Sequence, residues 1–223
     1  IKSAAKLMQP YGVTHKVDSA RHCSLITTIV EQPHLAFEPE AWLETDTYEI
    51  GNTSWPVCSL PGVFSHGELD KGTKLLLEKH TSGMSGNVLD FACGAGVIAS
   101  YLMLTYPHLK MQLSDISALA IYASAMTLAA NGQSATLHAA NGLYGIEGKV
   151  QHIVTNPPFH TGLKTDYTIT KRFIEDARKM LSQNGTLQMV ANRFLPYPGL
   201  LSEHFPRVLT TAQTTQFSLY QAA

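Results

Sequence analysis

From residue 69 onward the apolar positions fall into a repeating order of helical and extended patterns. Residues 69–80 predict a helix with Leu75, Leu76 and Leu77 on its inner side. Residues 87–92 form a short apolar run, followed by a glycine-rich turn and a helical pattern over 97–106. Residues 110–115 predict a second strand. Ser117 caps a helix that runs to about residue 130 and ends at Asn131-Gly132. Residues 135–140 and 150–155 predict a third and a fourth strand. Residues 165–181 predict an amphipathic helix stopped by Asn184-Gly185, and 186–191 a fifth strand. A short helix over 199–204 precedes two last strands, 208–211 and 215–220, with no helix between them. Strand–helix alternation with short turns predicts a parallel, doubly wound α/β sheet with helices on both faces. The last two strands predict an antiparallel hairpin at one sheet edge.

The first 68 residues lack this regularity. Residues 3–8 read as the end of a helix and 23–30 as a strand; a helix and a strand alone cannot bury their apolar faces. Residues 45–50 and 54–60 flank Gly51-Asn52 and predict a short β-hairpin. Residues 1–21 carry Lys2, Lys6, Lys16 and Arg21 against Asp18, whereas 22–63 carry six acids, four prolines and no Lys or Arg. Such a shift marks a connector or peripheral element. The expected division is therefore 1–50, the remnant of a second domain with its linker, and 51–223, the main domain. The chain opens on Ile1 without an initiator Met and reads as a fragment of a longer one.

Composition narrows the function classes. The chain has 223 residues, 44% of them hydrophobic, enough for a sizeable core. Lys and Arg (16) nearly balance Asp and Glu (17), for a net charge of −1, so no overall basic field announces a nucleic acid. No apolar run is long enough to cross a membrane as a helix. Cys23, Cys58 and Cys93 lack Cys-x-x-Cys spacing, which fits a reducing cytoplasm. The 10 histidines fall in no metal-ligand spacing, so no metal centre is expected.

Three constellations carry chemistry. Asp90-Phe91-Ala92-Cys93-Gly94-Ala95-Gly96 sits at the carboxyl end of the first strand of the sheet, where a doubly wound fold has its ligand crevice. Gly94 and Gly96 let the backbone turn sharply and a ligand approach closely. Asp90 would repel a pyrophosphate but hold a cationic amino-acid group, directly or through water. Asp115, ending the next strand, is placed to accept ribose hydroxyls, which implies a nucleoside cofactor without choosing one; capping the following helix is the plain alternative. Asn141, ending the third strand, is either an adenine contact or a turn residue. The most specific signal is Asn156-Pro157-Pro158-Phe159 after the fourth strand. A planar exocyclic amine is a poor nucleophile. The Asn156 side-chain carbonyl and the Pro157 backbone carbonyl can accept both its N–H bonds and aim its lone pair, while Phe159 stacks on the ring.

Together these residues resemble the class I S-adenosylmethionine-dependent methyltransferases, in the amino-methylating branch. They are most similar to the bacterial guanine-N2 methyltransferases of small-subunit ribosomal RNA. The likeness extends over Leu60-Pro61-Gly62-Val63-Phe64-Ser65, Leu69-Asp70-Lys71-Gly72, Leu128-Ala129-Ala130-Asn131-Gly132 and Ala191-Asn192-Arg193-Phe194-Leu195-Pro196-Tyr197-Pro198. It implies a Rossmann-like class I methyltransferase sheet preceded by the final helix and strand of a degenerate methyltransferase-like domain. It implies S-adenosyl-L-methionine held by Asp90, Ala92, Gly94, Gly96, Asp115 and Asn141. Segments 61–65 and 69–72 would close over its methionine end, with Phe64 beside the transfer site. It implies 16S ribosomal RNA as partner, within the assembled or assembling small subunit, and a cytoplasmic monomer with no membrane or metal. Ala92 stands where that family usually has a glycine; a left-handed backbone there would strain it. Adenine-N6 or protein-glutamine methylation, and a cofactor-binding domain without catalysis, are the alternatives the motif leaves open. Lys71, Lys74 and Arg193 are candidate phosphate contacts. Lys164, Lys171, Arg172, Arg178 and Lys179 form either a phosphate guide or a solvated helix face.

Overall fold

The computed structural model describes the backbone of residues 2–31, 38–158 and 164–223, and the side chains of all of these except residues 2 and 164–168. The chain divides into two compact units, Ile1–Ala41 and Trp42–Ala223.

In the first unit α1 (Lys2–Met8) leads through a 3-10 turn into an antiparallel pair, β1 (Gly12–Ala20) and β2 (Cys23–Val30). The expected helix and last strand are present, but a further strand, β1, lies between them. Its apolar alternation is broken where the register shifts between Lys16 and Asp18, so period-two reading fails there. The connecting turn uses Arg21 and His22 at φ 48° and 64°, a left-handed pair that hairpin twist demands. None of the described side chains of this unit is buried.

The second unit opens with the hairpin β3 (Glu44–Ile50) and β4 (Thr53–Ser59), joined at Gly51-Asn52 with Gly51 at φ 58°. After α2 (Lys71–Lys79) come β5 (Asn87–Phe91), α3 (Val97–Thr105), β6 (Lys110–Asp115), α4 (Ala118–Ala130) and β7 (Thr136–Ala139). Then follow β8 (Val150–Thr155), α5 (Lys164–Met180), β9 (Leu181–Asn192), α6 (Tyr197–Ser202), β10 (Val208–Gln213) and β11 (Phe217–Ala222). The seven-stranded sheet has the order β10-β11-β9-β8-β5-β6-β7. Strands β7, β6, β5, β8 and β9 are parallel; β11 runs antiparallel to β9, and β10 to β11. This is the expected doubly wound, Rossmann-like sheet with an antiparallel edge hairpin. The chain steps outward from β5 to β6 and β7, then returns to β8. The β5/β8 border is therefore the switch point at which such sheets open a crevice.

Each face of the sheet has its own core. Val88, Val154 and Val190 point to one, shared with α2, α3 and α4; Leu89, Ile153 and Leu187 point to the other, shared with α5 and α6. Burial on both faces explains why β5 and β8 read as continuous apolar runs.

The β3–β4 hairpin is not the peripheral element that its acidic composition suggests. Tyr48, Ile50, Trp55 and Val57 are buried in the first core, while Glu44 and Glu49 are exposed. Trp55 Nε1 donates to Ser100 Oγ at 3.1 Å. Thr127 Oγ1 accepts from the Cys58 N–H at 2.9 Å and donates to the Cys58 carbonyl at 3.1 Å, stitching β4 to α4. Removing the Trp55 ring leaves a cavity and takes from Ser100 Oγ its donor, leaving only the bond to the Val97 carbonyl. Trp55→Ala is expected to cost about 3–5 kcal/mol, read from urea denaturation; a peripheral hairpin would lose less than about 1 kcal/mol.

Candidate active site

A cavity of about 1120 Å³ opens at the carboxyl ends of β5, β6 and β8. It is slightly larger than the roughly 300–1,000 Å³ of most small-molecule sites. Its wall takes Ala92 and Gly94 from the loop after β5, Asp115 from the end of β6, Asn141 beyond β7, and Asn156 and Pro158 beyond β8; Phe64 is also on it. Phe91 and Phe173 stack at 4.2 Å, seating α5 against the base of the glycine loop.

The loop after β5 alternates in hand. Ala92, Gly94 and Gly96 take φ of 56°, 54° and 73°. Ala92 thus holds the left-handed backbone that was feared for it, a strain of about 1 kcal/mol. The two glycines differ in duty. A Cβ on Gly94 would meet nothing within 4 Å, whereas one on Gly96 would lie 3.1 Å from Ser124 Oγ. Gly94 leaves room for a ligand; Gly96 lets α3 approach α4.

Asp115 joins the two loops at this edge. Its Oδ2 accepts the Gly94 N–H at 3.0 Å and its Oδ1 the Ser117 N–H at 2.9 Å. Helix α4 is capped by Ser117, whose hydroxyl accepts the Ala120 N–H, so Asp115 orients the cap rather than serving as one. Each carboxylate oxygen retains a second lone pair for another donor.

Asp90 is placed differently from expectation. It is wholly buried, behind the loop and off the cavity wall. Oδ2 accepts the Ala99 N–H in the first turn of α3 at 3.0 Å, and Oδ1 has no partner among the described residues. Burial pushes its carboxyl up to about 8, opposed by the Ala99 bond and reinforced by Asp115. Gly96 and Pro157 also stand off the wall.

Asn156 is buried at the end of β8. Its Nδ2 donates to Asp70 Oδ2 at 2.8 Å and to Thr73 Oγ1 at 3.0 Å. Its Oδ1 has no hydrogen-bond partner among the described residues. Phe159 and His160 lie outside the described residues. The amide partners were not singled out from the sequence, although Asp70 had the signature of a helix cap, three residues before Thr73. Ile116, exposed on the wall beside Asp115, was passed over as well; an exposed apolar residue directly after the acid is its only signal. Of the cations on α5, Lys171 pairs with Glu203 after α6 at 2.6 Å, Arg172 with Asp176 at 3.8 Å and Lys179 with Glu175 at 2.7 Å, and Arg172 and Lys179 also border the cavity.

The Methyltransferase small domain family matches residues 54–221, and the Methyltransferase small domain N-terminal family matches residues 1–46. The chain is 73% identical over 222 residues to a ribosomal RNA small subunit methyltransferase C of Alteromonas mediterranea, covering 100% of this chain and 62% of that protein. It is 46% identical to the protein of that description from Pseudoalteromonas atlantica, covering 99% and 64%. Among solved structures it resembles a T. thermophilus 16S rRNA N2 G1207 methyltransferase in complex with AdoMet and guanosine. That likeness has a TM-score of 0.81 at 24% identity, over 99% of this chain and 61% of the other. The chain thus spans a little over three fifths of the length of these relatives.

The Asp90 carboxyl has a pH consequence. Its folded value of about 8 lies above the unfolded value of about 3.9, so the folded chain holds a proton that the unfolded chain has released. Stability therefore falls as pH rises through that window. Asp90→Asn removes this dependence. The variant's Tm is expected to gain on that of the wild type between about pH 5 and about pH 8, measured by calorimetry; a constant difference would contradict the assignment.

Proposed function

Since the chain belongs to the methyltransferase small-domain family, we propose that it carries the catalytic part of an S-adenosylmethionine-dependent enzyme that methylates the N2 amine of a guanosine in 16S ribosomal RNA. One observation carries this reading: Asn156 offers a buried carbonyl oxygen whose amide nitrogen is already committed elsewhere. In that role Asn156 Oδ1 and the Pro157 carbonyl accept the two N–H bonds of the guanine amine. Accepting both raises electron density on nitrogen and turns its lone pair toward the donor. The two prolines stiffen the segment that holds these carbonyls. Phe159 is assigned to stack on the base.

The cavity fits the cofactor. When bound, S-adenosylmethionine supplies a methyl group on a cationic sulfur, which leaves as a neutral thioether while the methylated amine gives up one proton to water. Asp115 accepts from the ribose hydroxyls with its remaining lone pairs, and Ile116 and Asn141 border the adenine. Gly94 leaves open space for the chain between ribose and amino acid. Phe64 stands beside the transfer point. Asp90 acts behind the loop, through α3, rather than on the ligand. Because Lys and Arg are balanced by acids, the chain alone is expected to hold RNA weakly. Recognition then rests on the folded small subunit and on an amino-terminal methyltransferase-like domain, of which residues 1–50 are the remnant and linker. The relatives' names favour ribosomal RNA over a protein glutamine.

The test is Asn156→Ala, assayed as N2-methylguanosine in nucleoside digests of small subunits. Turnover is expected to fall by about 100-fold or more, with cofactor affinity from calorimetry changed by less than about threefold. Equal loss of both would make Asn156 structural. N6-methyladenosine as the product would transfer the site to another acceptor.

A further inference from the structure

An amide can present either its oxygen or its NH2 group to a ligand, and the two ends have opposite meanings for an incoming amine. For Asn156 the choice is made outside the Asn-Pro-Pro-Phe segment. Asp70 Oδ2 lies 2.8 Å from Asn156 Nδ2. A carboxylate is an acceptor only, so the NH2 group must face it. Thr73 Oγ1, 3.0 Å from the same nitrogen, takes its second N–H. Reversing the amide would press two acceptor oxygens together at these distances in a buried setting; Thr73 and Asn156 are both largely shielded from water.

Asp70 is itself held in place. Its Oδ2 also accepts the Thr73 N–H at 2.7 Å as the N-cap of α2. Gly72 supplies the space, since a Cβ there would lie 3.0 Å from Asp70 Oδ2 and 3.1 Å from Phe217. One carboxylate oxygen thus starts a helix and orients an amide at the end of β8, 86 residues away in the chain.

We propose that Asp70 is a positioning residue for methyl transfer: by engaging the Asn156 NH2 group it presents Oδ1 to the amine of the guanine. The inference rests on the function proposed above and adds a residue that stands off the cavity wall. It acts by denying the amide its other orientation. The associated entropy is removed before substrate arrives, which is preorganisation of an acceptor.

Two substitutions separate orientation from capping, because Asp, Asn and Ser are comparable N-caps. Asp70→Ser keeps an oxygen for the Thr73 N–H, but the shorter side chain no longer reaches Asn156. Asp70→Asn keeps an oxygen where Oδ2 lies and so keeps both bonds, without the charge. In the full-length protein acting on small subunits, Asp70→Ser is expected to lower kcat by about 10- to 100-fold with cofactor affinity unchanged within about twofold. Asp70→Asn is expected to stay within about fivefold of wild type. Hydrogen exchange of the Asn156 side-chain NH2, followed by NMR, gives a readout independent of turnover. Protection is expected in the wild type and in Asp70→Asn, and its loss in Asp70→Ser.

Wild-type kcat in Asp70→Ser, or an unprotected NH2 group in the wild type, overturns the proposal. So does an equal fall in both variants, which would assign the effect to the charge. Asn156→Ala run alongside tells the two readings apart. If it is inactive while Asp70→Ser is unimpaired, the proposed function stands and only the positioning role falls. If Asn156→Ala turns over normally, both fall.

Discussion

A buried carbonyl oxygen left without a hydrogen bond costs about 1–3 kcal/mol, and the end of β8 carries one in Asn156 Oδ1. It is one of six such buried side-chain atoms among the described residues, and Asn156 is the only one of those six residues on the cavity wall. The surroundings make the imbalance specific. Thr155 Oγ1 donates to the Phe91 carbonyl at 2.7 Å, and Ser124 Oγ donates to the Gly94 carbonyl at 2.9 Å. These two hydroxyls are satisfied within the fold, while the amide is satisfied on one side only. An incoming N–H donor supplies the other side, so the group that the fold leaves costly is the group that a planar amine stabilises.

The sheet explains why this oxygen and the nucleoside-facing loop share one crevice. Strands β5 and β8 are neighbours, yet the chain between them has travelled outward through β6 and β7. The loops leaving β5 and β8 therefore diverge and leave a space that neither helix row covers. Three aspartate carboxyl groups then fix the rim, each by accepting backbone N–H groups. Asp90 holds Ala99, Asp115 holds Gly94 and Ser117, and Asp70 holds Thr73. Two of them lie on the sheet edge and one in the approach to α2. All three restrain loops from behind or beside, so the wall is set before any ligand arrives.

Elements whose pattern was strong were legible from residues alone. Strands β6 and β8 and helix α4 keep their expected limits, because short apolar runs there end at polar turn residues and Ser117 caps as its type suggests. The edge hairpin was legible from two strands with no helix between them. The β3–β4 hairpin was misjudged because net acidity was weighed over alternation. Glu49 faces out while Tyr48 and Ile50 face in, and strand burial is set residue by residue. Strand β1 was missed because its register shift removes the period that marks a strand. At the site, the Asn-Pro-Pro-Phe segment and Asp115 stood out because they follow apolar strands directly, at the carboxyl ends where such a sheet has its crevice. Asp90 was assigned to the ligand since position in a motif does not say which side of a loop a carboxylate takes. Asp70 could not be linked to Asn156, for a contact across 86 residues leaves no local signature.

The central claim is that Asn156 Oδ1 accepts the amine that is methylated. It is tested most directly by a crystal structure of the full-length protein with S-adenosylhomocysteine and guanosine. The account predicts the guanine N2 within about 2.7–3.2 Å of Asn156 Oδ1, the NH2 group of Asn156 still on Asp70, and the ribose of the cofactor product on Asp115. A guanine whose N2 lies away from Asn156, with Oδ1 bonded instead to the protein's own groups, would contradict it.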